Sequence, residues 1–185
     1  MQKEILRMEH ITKYFLDIKA LDDVRLNLYG GEILGLTGLN WSGKTTLVKI
    51  VAGFISADRG FIDFCDDMER RNPDNAPQRG IYYIGQDSAL ITKMTIRENI
   101  YLERAHAKGL VTQNRAENDQ AAQLLRLIGI NLDPDTKVED LSMEQRHMIH
   151  IGTAIARHSR IIILDDITGA YGKDAMEKLM AVLRK

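Results

Sequence analysis

A glycine-rich segment places the strongest limit on what this chain can fold into. Residues 38–45 read GLNWSGKT, which matches the pattern G-x-x-x-x-G-K-[ST]. A short apolar run, Glu32–Gly38, precedes it and reads as a strand, and a helical pattern, Gly43–Ala52, follows it. Glycines let the backbone curl so that successive N–H groups converge on phosphate oxygens, and the helix adds its positive end. The sequence therefore predicts a phosphate-binding loop (P-loop) between a strand and a helix.

The residue types in this loop suit ATP with Mg²⁺. We expect Lys44 to neutralise the β- and γ-phosphates and the Thr45 hydroxyl to coordinate Mg²⁺. Trp41 is unusual because bulky side chains disfavour positive φ, so its ring should point away from the phosphates, toward solvent, a partner surface or an antiparallel layer. The alternative is a chance glycine-rich turn before a helix. The predicted nucleotide-binding residues here are Gly38, Leu39, Asn40, Trp41, Ser42, Gly43, Lys44, Thr45 and Thr46.

A second candidate lies at an acidic strand end. The β-branched run Arg160–Leu164 is followed by Asp165 and Asp166, which is the Walker B pattern. In a sheet beside the P-loop strand, Asp165 would hold Mg²⁺ directly or through water, and Asp166 could polarise an attacking water. The alternative is a buried strand followed by an ordinary acidic turn.

Composition excludes several classes of protein. The 185 residues suffice for one well-buried domain, and a net charge of -1 does not indicate a nucleic-acid partner or an anionic membrane. The single cysteine, Cys65, fits a reducing cytosol. No apolar stretch approaches the roughly 18 residues that span a bilayer. If this protein works at a membrane, we expect another polypeptide to supply the membrane part.

The order of predicted elements indicates an α/β fold. Strands alternating with helices predict a mostly parallel sheet, and the hairpin-like start adds a small antiparallel β layer at the N-terminus. A helical region separates the middle strands. The predicted strands also include Ile5–Phe15, Val24–Tyr29, Gly60–Cys65 and Gly80–Gly85, and the predicted helices include Thr95–Lys108, a segment around 121–128, a helix from Ser142 to about His158, and Gly172–Lys185.

In this order the motifs resemble the ATP-binding cassette of ABC transporters, and among these the ATPase subunits of bacterial sugar importers. The segment from Val138 to Gln145, VEDLSMEQ, stands where the family's signature motif is expected. The resemblance implies that Tyr14 or Phe15 stacks on adenine, and that Gln86 contacts Mg²⁺ and the attacking water. It further implies that Ser142 and Gln145 approach the γ-phosphate held by an opposite cassette, although their spacing is also that of a helix capping box.

The resemblance also implies an organisation. Residues 1–185 would form a single ABC-type ATP-binding domain of the P-loop NTPase type, with a helical subdomain at about 88–158. The expected partners are a second ATP-binding cassette, in a homodimer, heterodimer or tandem protein, and transmembrane permease subunits, with no nucleic acid. The chain would be a cytoplasmic ATPase at the inner face of the membrane that energises import of a solute, a sugar by closest resemblance.

The departures from the family lie at the chemistry. Met143 and Glu144 replace two signature glycines, and Asp166 stands where glutamate is expected. The family's later γ-phosphate histidine has no counterpart before Lys185, so we expect a fragment of a longer protein. His147, His150 and His158 read as surface or helix-face residues. Two alternatives follow: a degenerate cassette that binds ATP with little hydrolysis, as a silent half or regulatory module, and a soluble P-loop protein outside transport.

Overall fold

The computed structural model describes residues 3–65, 80–85, 90–108, 115–166 and 171–184, without the side chains of 103–115. The chain divides into two compact units, Met1–Arg79 and Gly80–Lys185. In chain order the elements are β1 (Glu4–Phe15), β2 (Ile18–Tyr29), α1 (Lys44–Val51), β3 (Arg59–Asp63), β4 (Ile81–Ile84), α2 (Ile96–Lys108), α3 (Arg115–Leu127), α4 (Met143–Ala156), β5 (Ile161–Leu164) and α5 (Lys173–Leu183).

The first unit is built on an antiparallel sheet in the order β2-β1-β3. Alternate residues of β1 point to its buried face, where Leu6 and Met8 are nearly inaccessible. The helix α1 buries Leu47 and Ile50, which lie on one helical face. The expected hairpin, the strand near Gly60 and the helix after the glycine-rich loop are thus confirmed, as is the antiparallel layer.

The prediction of a strand at Glu32–Gly38 is wrong. Residues 32–39 adopt no regular secondary structure, and the side chains of Ile33, Leu34 and Leu36 are exposed. A strand needs a neighbouring strand to satisfy its backbone N–H and C=O groups. No described strand pairs with residues 32–39, so an apolar run alone did not produce a strand here.

The second unit combines a parallel strand pair with the four helices α2, α3, α4 and α5. Strands β4 and β5 are parallel and in register, with Ile81 opposite Ile161 and Ile84 opposite Leu164. Ile84 of β4 and the partly buried Ile162 and Leu164 of β5 pack against these helices. The apolar core includes Ile84, Ile96, Ile100, Leu125, Ile128, Val138, Ile149, Ile151 and Leu179. The predicted helical region therefore exists between β4 and β5.

A capping box explains where α2 begins. Thr95 and Glu98 exchange hydrogen bonds at the start of α2: the Thr95 N–H donates to Glu98 Oε2 at 2.8 Å and the Glu98 N–H donates to Thr95 Oγ1 at 3.2 Å. The connection from α3 to α4 is held by Arg97, whose guanidinium donates to Asp135 Oδ1. This connection contains a short 3₁₀ turn, Val138–Asp140, just before α4.

Candidate functional site

The glycine-rich loop leads directly into α1. Gly43 has φ 90°, and a Cβ on it would lie 2.6 Å from the Ala20 carbonyl oxygen and 2.8 Å from Leu21 Cδ2. Only glycine fits there, for conformation and for space. No side chain caps the N-terminus of α1, and no acidic residue lies in its first turn. An anion at the N-terminus of this helix would therefore meet no carboxylate from the first turn.

The Lys44 ammonium lies at the loop itself. Its Nζ donates to the carbonyl oxygens of Gly38 at 2.9 Å and Leu39 at 2.7 Å. An ammonium has three donors, so it can exchange these carbonyls for phosphate oxygens without moving far. Thr45 and Thr46 follow in the first turn of α1, with Thr45 exposed and Thr46 half-buried. The loop thus carries a cation and a hydroxyl at the N-terminus of α1.

Trp41 takes the most exposed position in this loop. Its backbone has φ 68°, and its side chain is fully exposed, with a relative accessibility of 101%. Of the three predicted directions (solvent, a partner surface or the antiparallel layer), the ring takes the first and points to solvent. Leu39 and Asn40 precede it on the same exposed stretch, and Ser42 follows. The indole therefore does not fill the loop.

The candidate adenine-stacking residues lie at the end of β1. The rings of Tyr14 and Phe15 are 39% and 46% exposed, which leaves either able to receive a base. The Tyr14 N–H donates to Asp58 Oδ2 at 2.6 Å, and Lys13 Nζ donates to Asp58 Oδ1 at 2.9 Å. These two bonds lower the pKa of Asp58 and fix the strand end. Lys19 Nζ lies 5.8 Å from the Tyr14 ring centroid.

Asp165 follows β5 and is tied to β4. Its N–H donates to the Ile84 carbonyl at 2.8 Å, and its Oδ2 accepts a hydrogen bond from the Tyr83 hydroxyl at 2.7 Å. Asp166 comes next with φ 56° and an exposed side chain. Aspartate and asparagine adopt this left-handed conformation more readily than most residues. The two acidic residues thus differ: Asp165 is anchored to the neighbouring strand, and Asp166 is exposed at a bend of the chain.

Ser142 and Gln145 form a complete capping box at the start of α4. The Gln145 N–H donates to Ser142 Oγ at 3.2 Å, and the Ser142 N–H donates to Gln145 Oε1 at 2.9 Å. Between them, Met143 and Glu144 are exposed, and the Glu144 carboxylate lies in the first turn, where the helix dipole favours it. The structural role of Ser142 and Gln145 is therefore satisfied within this chain.

Two histidines of α4 lie on its inner face. Of the two positions predicted for them, the surface or a helix face, His147 and His150 take the second and are only 8% and 6% exposed. His147 stacks on Tyr171, with ring centroids 5.7 Å apart and an interplanar angle of 18°. Burial lowers the pKa of His147, and burial together with Glu144 raises the pKa of Tyr171 to about 12. His158 lies beyond the helix and is exposed, as predicted.

The predicted residues are distributed over both units, and the structure does not describe all of them. Gln86 lies outside the described residues. The P-loop belongs to the first unit, and Asp165, Asp166, Ser142 and Gln145 belong to the second. Tyr83, which contacts Asp165, was not among the residues predicted from the sequence. The signal that could have pointed to it is its position two residues before Gly85, because residues two apart in an extended chain face the same side.

Oxygen ligands are the chemistry that Mg²⁺ prefers, and Thr45 and Asp165 each carry a side-chain oxygen. In nucleotide sites Mg²⁺ uses one or two protein oxygens, phosphate oxygens and waters. A cluster of three or more acidic, histidine or cysteine side chains is therefore not required, and none occurs among the described residues.

Within the part of the chain that the structure describes, no helix combines the length and the apolar character that a membrane-spanning helix needs.

Comparison with known proteins gives a consistent result. The family model described as ABC transporter matches residues 21–169. The chain is 35% identical to the ribose import ATP-binding protein RbsA of Clostridium tetani over its whole length, which is 37% of that protein. It is also 35% identical to the xylose import ATP-binding protein XylG of Thermoanaerobacter pseudethanolicus, again over 100% of the chain and 37% of the relative. The chain thus spans about a third of the length of these curated relatives.

Among solved structures, the chain is similar to the ADP conformation of an ATP-binding cassette of an ABC transporter. The TM-score is 0.82 at 27% identity, covering 98% of this chain and 76% of the other. A nucleotide-free cassette from an ABC transporter gives a TM-score of 0.80 at 26% identity, with 98% and 76% covered. With its glycine-rich loop, antiparallel layer and helical region in the expected order, the chain belongs to the ABC transporter family and has the α/β P-loop fold of its ATP-binding cassettes.

Proposed function

We propose that this chain binds Mg-ATP and hydrolyses it as the cassette that energises solute import by an ABC transporter. The geometry at Gly43 and Lys44 is the observation that carries the proposal: a helix N-terminus with no acidic residue in its first turn, a position restricted to glycine and an ammonium held at the loop. That arrangement suits a polyphosphate. A sugar as the solute follows from the ribose and xylose importers among the relatives.

In this proposal the residues of the chain divide the work. Backbone N–H groups of residues 38–46 and Lys44 bind the phosphates, and Tyr14 or Phe15 stacks on the adenine. Thr45, Asp165 and Gln86 hold Mg²⁺, which when bound neutralises charge on the β- and γ-phosphates. Asp166 orients the attacking water and takes its proton.

The proposed site is completed by a second cassette. Ser142 and Gln145, at the exposed N-terminus of α4, would reach the γ-phosphate held by the P-loop of that partner. Permease subunits would receive the closing motion, which places the protein at the cytoplasmic face of the membrane. Residues 1–185 form one ATP-binding domain in this proposal, with its helical subdomain at about 88–158.

A shared site makes turnover depend on protein concentration. We expect the rate of phosphate release per chain to rise with concentration as cassettes pair, because an isolated chain lacks the opposite Ser142. Phosphate release measured across a wide concentration range tests this. A rate per chain that is appreciable and constant from the lowest concentration would contradict the two-cassette site.

Ser142→Asp separates the structural and catalytic roles of Ser142. Aspartate caps helices as well as serine, so the melting temperature should stay near that of the wild type. A carboxylate next to the γ-phosphate should lower turnover about tenfold or more, because like charges repel at this range. Ser142→Asn is the matched control, since it caps without charge. Equal turnover by the two variants would show that Ser142 does not approach the phosphate.

A degenerate cassette that binds ATP with little turnover is the second candidate. It is favoured by the exposed Glu144 beside Ser142 and by Asp166, which is one methylene shorter than the family's glutamate. The named relatives give it no support. Phosphate release in a single turnover distinguishes the two, because the degenerate cassette would hold ATP intact with Mg²⁺ present.

A further inference from the structure

A tyrosine on the neighbouring strand holds the carboxylate of Asp165. Strands β4 and β5 are parallel, with Ile84 opposite Leu164, so Tyr83 and Asp165 lie near the same ends of the two strands. The Tyr83 hydroxyl donates to Asp165 Oδ2 at 2.7 Å. Because the Asp165 N–H also donates to the Ile84 carbonyl, the residue is fixed through both its backbone and its side chain.

Gly85 provides the space that this contact needs. Tyr83 and Gly85 are two residues apart on one chain, so their side-chain directions share a face of the strand. A Cβ on Gly85 would lie 2.5 Å from Tyr83 Oη and 2.6 Å from Tyr83 Cε1. The phenol ring therefore lies across the position of Gly85, and a side chain there would displace it. A glycine at this point lets the tyrosine extend along the strand to the acidic residue.

We propose that Tyr83, with the space left by Gly85, is a positioning residue for the metal-binding carboxylate of Asp165. The hydrogen bond to Oδ2 restricts rotation of the carboxylate, so that its orientation is set before Mg-ATP arrives. Partners of this kind orient metal ligands, and removing them weakens metal binding. This inference rests on the proposed function, in which Asp165 holds Mg²⁺.

The test is a metal titration of the Tyr83→Phe variant, which keeps the ring and removes only the hydroxyl. Mn²⁺ replaces Mg²⁺ as a paramagnetic probe, with a non-hydrolysable ATP analogue bound to the protein. We expect the Mn²⁺ affinity to fall about tenfold, while the affinity for the analogue without metal stays unchanged. A general disturbance of the fold would weaken both.

Tyr82→Phe is the matched control. Tyr82 neighbours Tyr83 on β4 but lies on the side of α4, with its hydroxyl 3.4 Å from His150 Nδ1. Its loss should leave Mn²⁺ binding at the wild-type level. Gly85→Ala should reproduce the loss seen with Tyr83→Phe by pushing the ring away, and the double variant should lose no more than either single one. If Gly85→Ala does not fold, the two phenylalanine variants still decide.

The outcomes separate this inference from the proposed function. Wild-type protein that binds neither the analogue nor Mn²⁺ would overturn the proposed function and this inference with it. If the wild-type protein binds the analogue and Mn²⁺, and the Tyr83→Phe variant binds Mn²⁺ with the same affinity, only the role of Tyr83 is overturned. Equal losses in Tyr82→Phe and Tyr83→Phe would overturn it as well.

Discussion

Lys44→Ala should reduce the affinity for Mg-ATP about a hundredfold or more, because charge-assisted bonds to two phosphates contribute on the order of 3 kcal/mol. In the structure the Lys44 ammonium already lies at the loop, on the carbonyls of Gly38 and Leu39. Its loss therefore removes a cation held where the phosphates are expected. Isothermal titration with ATP and Mg²⁺ measures the change directly.

Lys49→Ala is the control for this prediction. Lys49 lies in the last turn of the same helix, so the variant has the same change in charge at the opposite end. Its ATP affinity should match that of the wild type, with at most a small loss of stability from the helix dipole. Wild-type affinity in Lys44→Ala, or an equal loss in Lys49→Ala, would contradict a specific role for the loop lysine.

Asp166→Asn should lower ATP turnover about a hundredfold or more and leave Mg-ATP binding unchanged, because a general base contributes factors of that size. Asparagine is close in shape and tolerates the left-handed backbone that Asp166 adopts at φ 56°. The fold should therefore be preserved. Phosphate release in a single turnover and an ATP titration measure the two effects separately.

The matched control is Asp174→Asn, in the first turn of α5, which removes the same charge elsewhere in the second unit. It should hydrolyse ATP like the wild type. If Asp166→Asn also does so, Asp166 is not the base. If Asp166→Asn loses ATP binding as well, its carboxylate acts on nucleotide or metal binding rather than on the water.

Local sequence signals predicted most elements of the fold because they depend on short-range chemistry. The capping boxes at Thr95 and at Ser142 mark the true starts of α2 and α4, since each supplies donors and acceptors within four residues. The β-branched run at Ile161–Leu164 forms the strand expected of it. Gly43 is needed where the motif placed it, because Ala20 and Leu21 approach its backbone.

The features that were not predicted from the sequence depend on contacts between residues far apart in the chain. The run Glu32–Gly38 has the composition of a strand, but a strand also needs a neighbour to pair with. The sequence left His147 at the surface or on a helix face, and the structure shows it buried and stacked on Tyr171. Tyr83 gains its role only when the parallel register brings β4 beside Asp165.

The most direct test of nucleotide binding by the glycine-rich loop is a titration of the wild-type protein with ATP, ADP and AMP in the presence of Mg²⁺. If the loop from Gly38 to Thr46 reads the β- and γ-phosphates, ATP and ADP should bind, and AMP should bind about a hundredfold more weakly or not at all. AMP binding as tight as ATP binding, or no binding of ATP, would contradict the central claim that this loop is a nucleoside triphosphate site.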